Sequence, residues 1–124
     1  MKVIEIAFSC YPVTDMVRAR NFYEGVLGLT VTYEADNGPK GHWVEYDIGA
    51  STLAIGRYDG WKPSRDGCTV GLEVDDFDKA LAELTAAGIP IEMGPLETPV
   101  CHMAIINDPD GNGITIHKRK PGHS

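Results

Sequence analysis

The chain has 124 residues, of which 43% are hydrophobic and 23% charged, with 14 Gly and 8 Pro. This is close to average globular composition, and the length suits one compact domain that buries a core without staples. Eleven Lys and Arg against 18 Asp and Glu give a net charge of −7, which disfavours a nucleic-acid partner gripped through its phosphates. Basic residues gather only near the end, at Lys118, Arg119 and Lys120. No run approaches the roughly 20 apolar residues that span a bilayer, so no membrane partner is expected. The start, MKVIEIAFSCYPVTD, lacks a signal-peptide pattern, and a mature cytoplasmic protein is expected. Cys10, Cys68 and Cys101 form no CxxC spacing and read as reduced thiols.

The β-prone segment Val3 to Tyr11 predicts a first strand, ended by Pro12, with Thr14 or Asp15 placed to cap a helix. Met16, Ala19, Phe22, Tyr23, Val26 and Leu27 then recur at helical steps, and Gly28 supplies the left-handed stop. Strands are expected at Leu29 to Glu34, His42 to Ile48 and Ser51 to Gly56, with turns through Asn37 to Gly41 and at Gly49-Ala50. Arg57 to Gly67, rich in Gly, Pro and Ser, reads as a linker. The order then restarts. Thr69 to Val74 alternates as a strand, and Asp75 or Asp76 caps an amphipathic helix through Phe77, Ala80, Leu81 and Leu84 that stops at Gly88. Ile89 to Met93 follows as a short strand before a Pro-interrupted loop, and Cys101 to Asn107 with Gly113 to His117 form a hairpin across Asp108-Pro109-Asp110-Gly111.

Both halves therefore read βαβββ, and the internal spacing repeats. Asp15 to Gly28 and Asp75 to Gly88 are equal intervals, as are Phe8 to Ala54 and Thr69 to Thr115. The expected architecture is α+β, with two tandem βαβββ modules forming mixed sheets around a shared cavity. Module one covers about 1–58, the linker about 57–67 and module two about 68–120 of a single domain spanning 1–124.

MVRARNFYEGVLGL, following a strand and Asp15, and INDPDGNGITIHKRK near the end together resemble the glyoxalase, bleomycin-resistance and extradiol-dioxygenase (vicinal oxygen chelate) superfamily. The resemblance covers nearly the whole chain. It implies the tandem-module fold, a homodimer, and, in members that carry a metal, His, Glu or Gln ligands on the first and last strand of each module. The matching positions here are Phe8, Ala54, Thr69 and Thr115, none of which is a usual ligand. No cofactor and no metal are therefore expected, and metal-dependent chemistries of the superfamily are placed in doubt.

Period-two alternation with Thr69 and Thr115 facing inward sends Val70, Leu72 and Val74 to the helix, and Glu73 and His117 to the cavity. A symmetric second turn, with Asn107 opposite Asn112, would pair His102 with His117 on that face. In the first hairpin, Ile48 opposite Ser51 places Trp43 across from Gly56 and Glu45 across from Ala54, so Phe8, Cys10, Trp43 and Glu45 join the inward set. Two functions are expected of such a set. One is metal-free binding of a small molecule, with Trp43 beside Glu45 suiting a cationic aromatic ligand. The other is a lyase or isomerase with Glu45 or Glu73 as a base of raised pKa, or with a relocated metal on His102, His117 and Glu73. A nucleophilic Cys10 thiol, activated by His102 or His117, is a further candidate. Asp75, Asp76 and Asp78 read as helix-end acids, and DPDGN as a turn rather than a calcium loop.

Overall fold

The computed structural model describes residue 2 and residues 4–122. They form two compact units, residues 1–63 and 64–124, each a four-stranded mixed sheet backed by one helical segment. The tandem βαβββ order is as expected.

In the first unit, β1 (Ser9–Pro12) lies parallel to β4 (Ser51–Arg57), and β3 (His42–Ile48) and β2 (Val31–Asp36) complete the order β1-β4-β3-β2. The first strand is shorter than its apolar run. The ladder with β4 runs over Ser9–Pro12, while Ile4 and Ile6 stay 80% and 83% exposed; Val3 lies outside the described residues. Asp15 caps α1 (Met16–Arg20) by accepting the Arg18 amide at 3.0 Å. The helix then widens into a π-helical stretch, Asn21–Val26, closed by Leu27 N–H to Phe22 C=O at 3.0 Å and by Gly28 at φ +73°. Met16, Ala19, Phe22 and Tyr23 are buried, and Tyr23 stacks on Tyr46 of β3 at 6.1 Å. With Val44, Leu53 and Ile55 they make the core on the helix side.

In the second unit the order is β5-β8-β7-β6, with β5 (Val70–Glu73) parallel to β8 (Gly113–Arg119), and β7 (Cys101–Asn107) between β8 and β6 (Met93–Glu97). Asp76, not Asp75, caps α2 (Phe77–Ala86), accepting the Lys79 amide at 3.0 Å. Leu84, Ala104, Ile106, Ile114 and Ile116 form its core.

Two expectations need correction here. The strand placed at Ile89 to Met93 actually runs Met93–Glu97, through Pro95. It sits at the sheet edge with a register shift between Met93 and Leu96, where a proline without an N–H costs no ladder bond. The second hairpin is offset by one residue. Asn107 pairs with Gly113, not Asn112, because Asp108 N–H bonds to Asn112 C=O and leaves residues 108–112 as the loop. The Asp108 carboxylate also accepts the Asp110 amide, the Asn112 amide and the Asn112 side chain at 2.9, 2.9 and 2.7 Å, and both Asp108 and Asn112 are buried. DPDGN is a turn, as expected.

Candidate functional site

The first hairpin keeps the expected register, with Trp43 opposite Gly56, Glu45 opposite Ala54 and Ile48 opposite Ser51. A two-residue Gly49-Ala50 turn allows no other offset without exposing Val44 and Tyr46, which are fully buried on the helix side. Trp43, Glu45, Ala54 and Gly56 therefore share the face of the first sheet turned away from α1, joined by Cys10, the partner of Ala54 on β1. Phe8 meets Trp43 edge to face at 5.5 Å. On the far side, Tyr33 of β2 is the cross-strand partner of Glu45 and is 55% exposed.

Two side chains from the linker, a stretch whose composition reads as a connection, complete this surface. Tyr58 lies 6.5 Å from Trp43, and Trp61 lies 6.2 Å from Tyr58. The three rings converge over Gly56. A Cβ there would stand 2.9 Å from Trp61, 3.1 Å from Tyr58 and 3.2 Å from Trp43, so only glycine leaves room for the cluster. Gly41 plays the same part under the Tyr58 ring, which would come within 2.2 Å of a Cβ. The available signal was two aromatics in an otherwise polar stretch, following a strand-end glycine.

Within this aromatic surface the Trp43 Nε1–H donates to Glu45 Oε2 at 2.7 Å. Burial, and secondarily the Glu45 charge, push the Cys10 thiol up to about 12. A nucleophile needs the opposite shift, so this direction gives no support to an activated Cys10 thiol.

The second unit gathers different chemistry on its equivalent face. Thr69 and Thr115 hydroxyls bond to each other at 3.0 Å, and Glu73 pairs across the ladder with His117. The Glu73 carboxylate is fully engaged, accepting from the Arg119 amide at 2.7 Å and lying 2.6 Å from His117 Nδ1. Burial pushes Glu73 upward, but the Arg119 amide, the His117 hydrogen bond and their positive charges outweigh it. The net shift is downward, opposite to the raised value a carboxylate base would need. The one-residue offset also separates the histidines. Met103, not His102, is opposite His117, and His102 turns to the helix side, its ring 5.7 Å from Phe77 of α2.

Among the described residues one group brings three donor atoms of the metal-binding kind within 4.8 Å of one another: Glu34, Asp36 and His42. None was singled out in the sequence. His42 Nε2 lies 2.5 Å from Glu34, and the Arg20 guanidinium contacts both Glu34 oxygens at 3.2 Å while binding Glu24 at 2.6 Å. Tyr46 donates to Glu24 at 2.9 Å, so the group is the outer end of an ion-pair network tying α1 to the sheet. A shallow hollow of about 340 Å³ beside it is lined by Val17, Arg20, Asn21, Glu24 and Gly25. Its two charged side chains neutralise each other, so it offers a ligand little.

Two mixed sheets in βαβββ order, with a distinct chemistry on the face of each turned from its helix, define a protein of the paired-module α+β class. The chain matches the Glyoxalase/Bleomycin resistance protein/Dioxygenase superfamily over residues 5–116, and it belongs to that superfamily. Among solved structures it is similar to TnmS3, an antibiotic binding protein from Streptomyces sp. CB03234. The two share 25% identity and a TM-score of 0.80, over 97% of this chain and 99% of that one. It is also similar to a glyoxalase/bleomycin resistance protein from the same organism, at 27% identity and TM-score 0.73 over 90% and 98% of the two chains. A glyoxylase/bleomycin resistance protein/dioxygenase domain from Frankia sp. EAN1pec, 17% identical with TM-score 0.79 over 98% and 96%, shares the fold. No curated protein matches the sequence. Among the described residues no helix is long and apolar enough to cross a membrane.

Proposed function

We propose that this chain is a small-molecule-binding protein that works without a metal, and that the first unit's aromatic face supplies the stacking surface for a flat ligand. The observation that carries this reading is the convergence of Trp43, Tyr58 and Trp61 over Gly56, with Phe8 against Trp43. Half-buried and exposed aromatic rings held by glycine-sized floors give large contact area at small entropic cost. The similarity to an antibiotic binding protein agrees with it.

The four positions at which metal-carrying relatives would hold their ion support the metal-free part. Phe8 is engaged with Trp43, Ala54 offers a methyl group, and the Thr69 and Thr115 hydroxyls are bonded to each other. This donor set does not suit a divalent ion. The alternative, a lyase or isomerase, draws less support, since Glu73 is held ionised and His102 lies on the opposite face from His117. Small-molecule ligand, homodimer and cytoplasmic location belong to the same proposal, as does the division into modules at about 1–58 and 68–120.

Two measurements test it. Tag-free protein analysed for bound metal should carry none in stoichiometric amount; near-stoichiometric iron, zinc, manganese or nickel would overturn the metal-free reading. The two indole N–H resonances, from Trp43 and Trp61, should shift on titration with quinoline, and a Trp43→Ala variant should weaken that binding at least tenfold. No shift of either indole, or binding indifferent to Trp43, would overturn the site.

A further inference from the structure

Glu34, Asp36 and His42 stand on the helix side of the first sheet, since Asp36 is the ladder partner of His42 and Glu34 that of the buried Val44. Both carboxylates are braced from outside the cluster. Asp36 Oδ1 accepts the Gly38 amide at 2.9 Å while Oδ2 lies 4.0 Å from His42 Nε2; Glu34 accepts from the Arg20 guanidinium at 3.2 Å while Oε2 lies 2.5 Å from the same imidazole nitrogen. Ligand atoms 2.0–2.2 Å from one tetrahedral ion stand roughly 3.4 Å apart. The two separations, 2.5 and 4.0 Å, bracket that value. Charge points the same way. Arg20 is shared between Glu24 and Glu34, Arg57 donates instead to the Gly38 carbonyl at 2.6 Å, and among the described residues Asp36 has no Lys or Arg within ion-pair distance. Three carboxylates thus face one guanidinium, and beside a neutral imidazole the group is short of two positive charges. The second unit pairs Glu97 with His102 as the first pairs Asp36 with His42, but Pro95 stands two residues before Glu97, and Lys120 contacts that glutamate at 2.5 Å. The carboxylate at position 34 is an addition of the first unit, not a requirement of the module.

We infer that Glu34, Asp36 and His42 form an exchangeable site for a first-row divalent ion of the zinc kind, on the opposite side of the sheet from Trp43 and Glu45. The ion takes the place of the hydrogen bond between His42 and Glu34, supplies the two missing charges and ties the edge strand β2 to β3. Arg20 and the Gly38 amide stay on the carboxylates as orienting partners. An imidazole among the ligands selects against magnesium and calcium, which take oxygen. Glu34 and Asp36 are exposed, so water completes the coordination and the ion exchanges with solvent. Affinity is therefore micromolar, a chelator empties the site, and the protein refills only when the ion is supplied. The inference needs nothing from the stacking face, and its failure would leave that reading standing.

Chelator-treated, tag-free protein titrated with zinc chloride by calorimetry at pH 7.5, with the histidine ring resonances followed in parallel, tests the site. One zinc per chain should bind in the micromolar range, shift the His42 ring and leave those of His102 and His117 in place, and 5 mM magnesium should not compete. Asp36→Asn, whose side-chain oxygen can still accept from Gly38, should weaken zinc at least about tenfold with far-UV circular dichroism unchanged. His42→Ala should abolish binding, and His102→Ala should leave it as it was. Asp36 is exposed whereas His42 is half-buried, so Asp36→Asn decides the matter if His42→Ala does not fold. No binding at 1 mM zinc would overturn the site. Zinc that binds Asp36→Asn as tightly as the unmodified protein, or that shifts His102 or His117 instead of His42, would place the ion elsewhere, exposed Cys68 included, and overturn it equally. Competition by magnesium would overturn the part given to the imidazole.

Discussion

Gly56→Ala perturbs the aromatic cluster from beneath while leaving the sheet that carries it. The new methyl would meet Trp61 at 2.9 Å, Tyr58 at 3.1 Å and Trp43 at 3.2 Å, so at least one ring must move. Trp43 is tied to Glu45 at 2.7 Å and Tyr58 lies over Gly41, whereas Trp61 is on the linker and 40% exposed. Trp61 should therefore swing away. Its departure forfeits ring contacts of about 0.5–1.5 kcal/mol. Replacing glycine within a strand returns about 0.4–1 kcal/mol by restricting the unfolded chain. The two nearly offset, and the net loss should be about 0.5 kcal/mol, small in a urea titration. The effect on the site should be large. Trp43 and Trp61 are the chain's two tryptophans, so all indole emission reports on this cluster. The variant should show red-shifted fluorescence and bind quinoline about tenfold more weakly, with far-UV circular dichroism unchanged. Gly71→Ala on β5 is the control: no atom lies within 4 Å of its Cβ, so only the gain of about 0.4–1 kcal/mol should appear. Unchanged emission in Gly56→Ala, or a loss above about 3 kcal/mol of the size expected when a strand itself must shift, would refute the argument that Trp61 is the part that yields.

Asp108→Ala removes the acceptor of three bonds inside a buried turn and leaves their donors unpaired, so stability should fall by about 3 kcal/mol and Tm by about 12 °C; a loss under 1 kcal/mol by urea titration would mean the loop is held by its backbone alone. Cys10, with its thiol pushed up to about 12, should resist iodoacetamide at pH 8 while exposed Cys68 is modified, as peptide mapping by mass spectrometry will show; equal labelling would refute the protected thiol. Glu24 is held below its ordinary value by the Arg20 hydrogen bond, against burial and with help from the Tyr46 hydroxyl. A depressed folded pKa contributes stability that is present above the unfolded value of about 4.3 and is lost as pH falls through the lower folded one. Glu24→Gln should therefore be less stable than the unmodified protein at pH 6, and the difference in urea midpoint should shrink towards pH 3; a constant difference would show that the carboxylate charge is not what stabilises.

Helix caps, glycine stops and the first hairpin were legible in the sequence because each rests on a local rule. Asp15 and Asp76 needed only an oxygen ahead of an apolar stripe, and the Gly49-Ala50 turn is too short to permit a second register. The second hairpin was misread for a physical reason. Its loop is five residues long and closed by Asp108 N–H to Asn112 C=O, a choice set by how well the Asp108 carboxylate is satisfied, which spacing alone does not reveal. One residue of offset turns His102 to the other face, so it does not join Glu73 and His117. Tyr58 and Trp61 were not legible because turn composition signals a connection and says nothing of which rings fold back onto the sheet.

The two units show what duplication conserves and what it frees. The parts that make each unit fold recur: a capping Asp, an amphipathic helical face, a left-handed glycine at φ +73° or +75°, and a parallel pairing of first and last strands. The sheet faces turned from the helices have no such duty, and they differ at every matched position. Where the first unit sets Cys10 beside Ala54, the second sets Gly71 beside Thr115; where the first has Phe8 against Trp43, the second has Thr69 bonded to Thr115. Side chains there are constrained by what they meet rather than by the core, so an aromatic cluster that requires glycine at 41 and 56 is hard to ascribe to folding alone. Both glycines lie next to or within strands, where they weaken the sheet by leaving a side chain's packing unused. That local cost comes with the rings above them, Trp43, Tyr58 and Trp61, which are the side chains the proposed stacking surface would present.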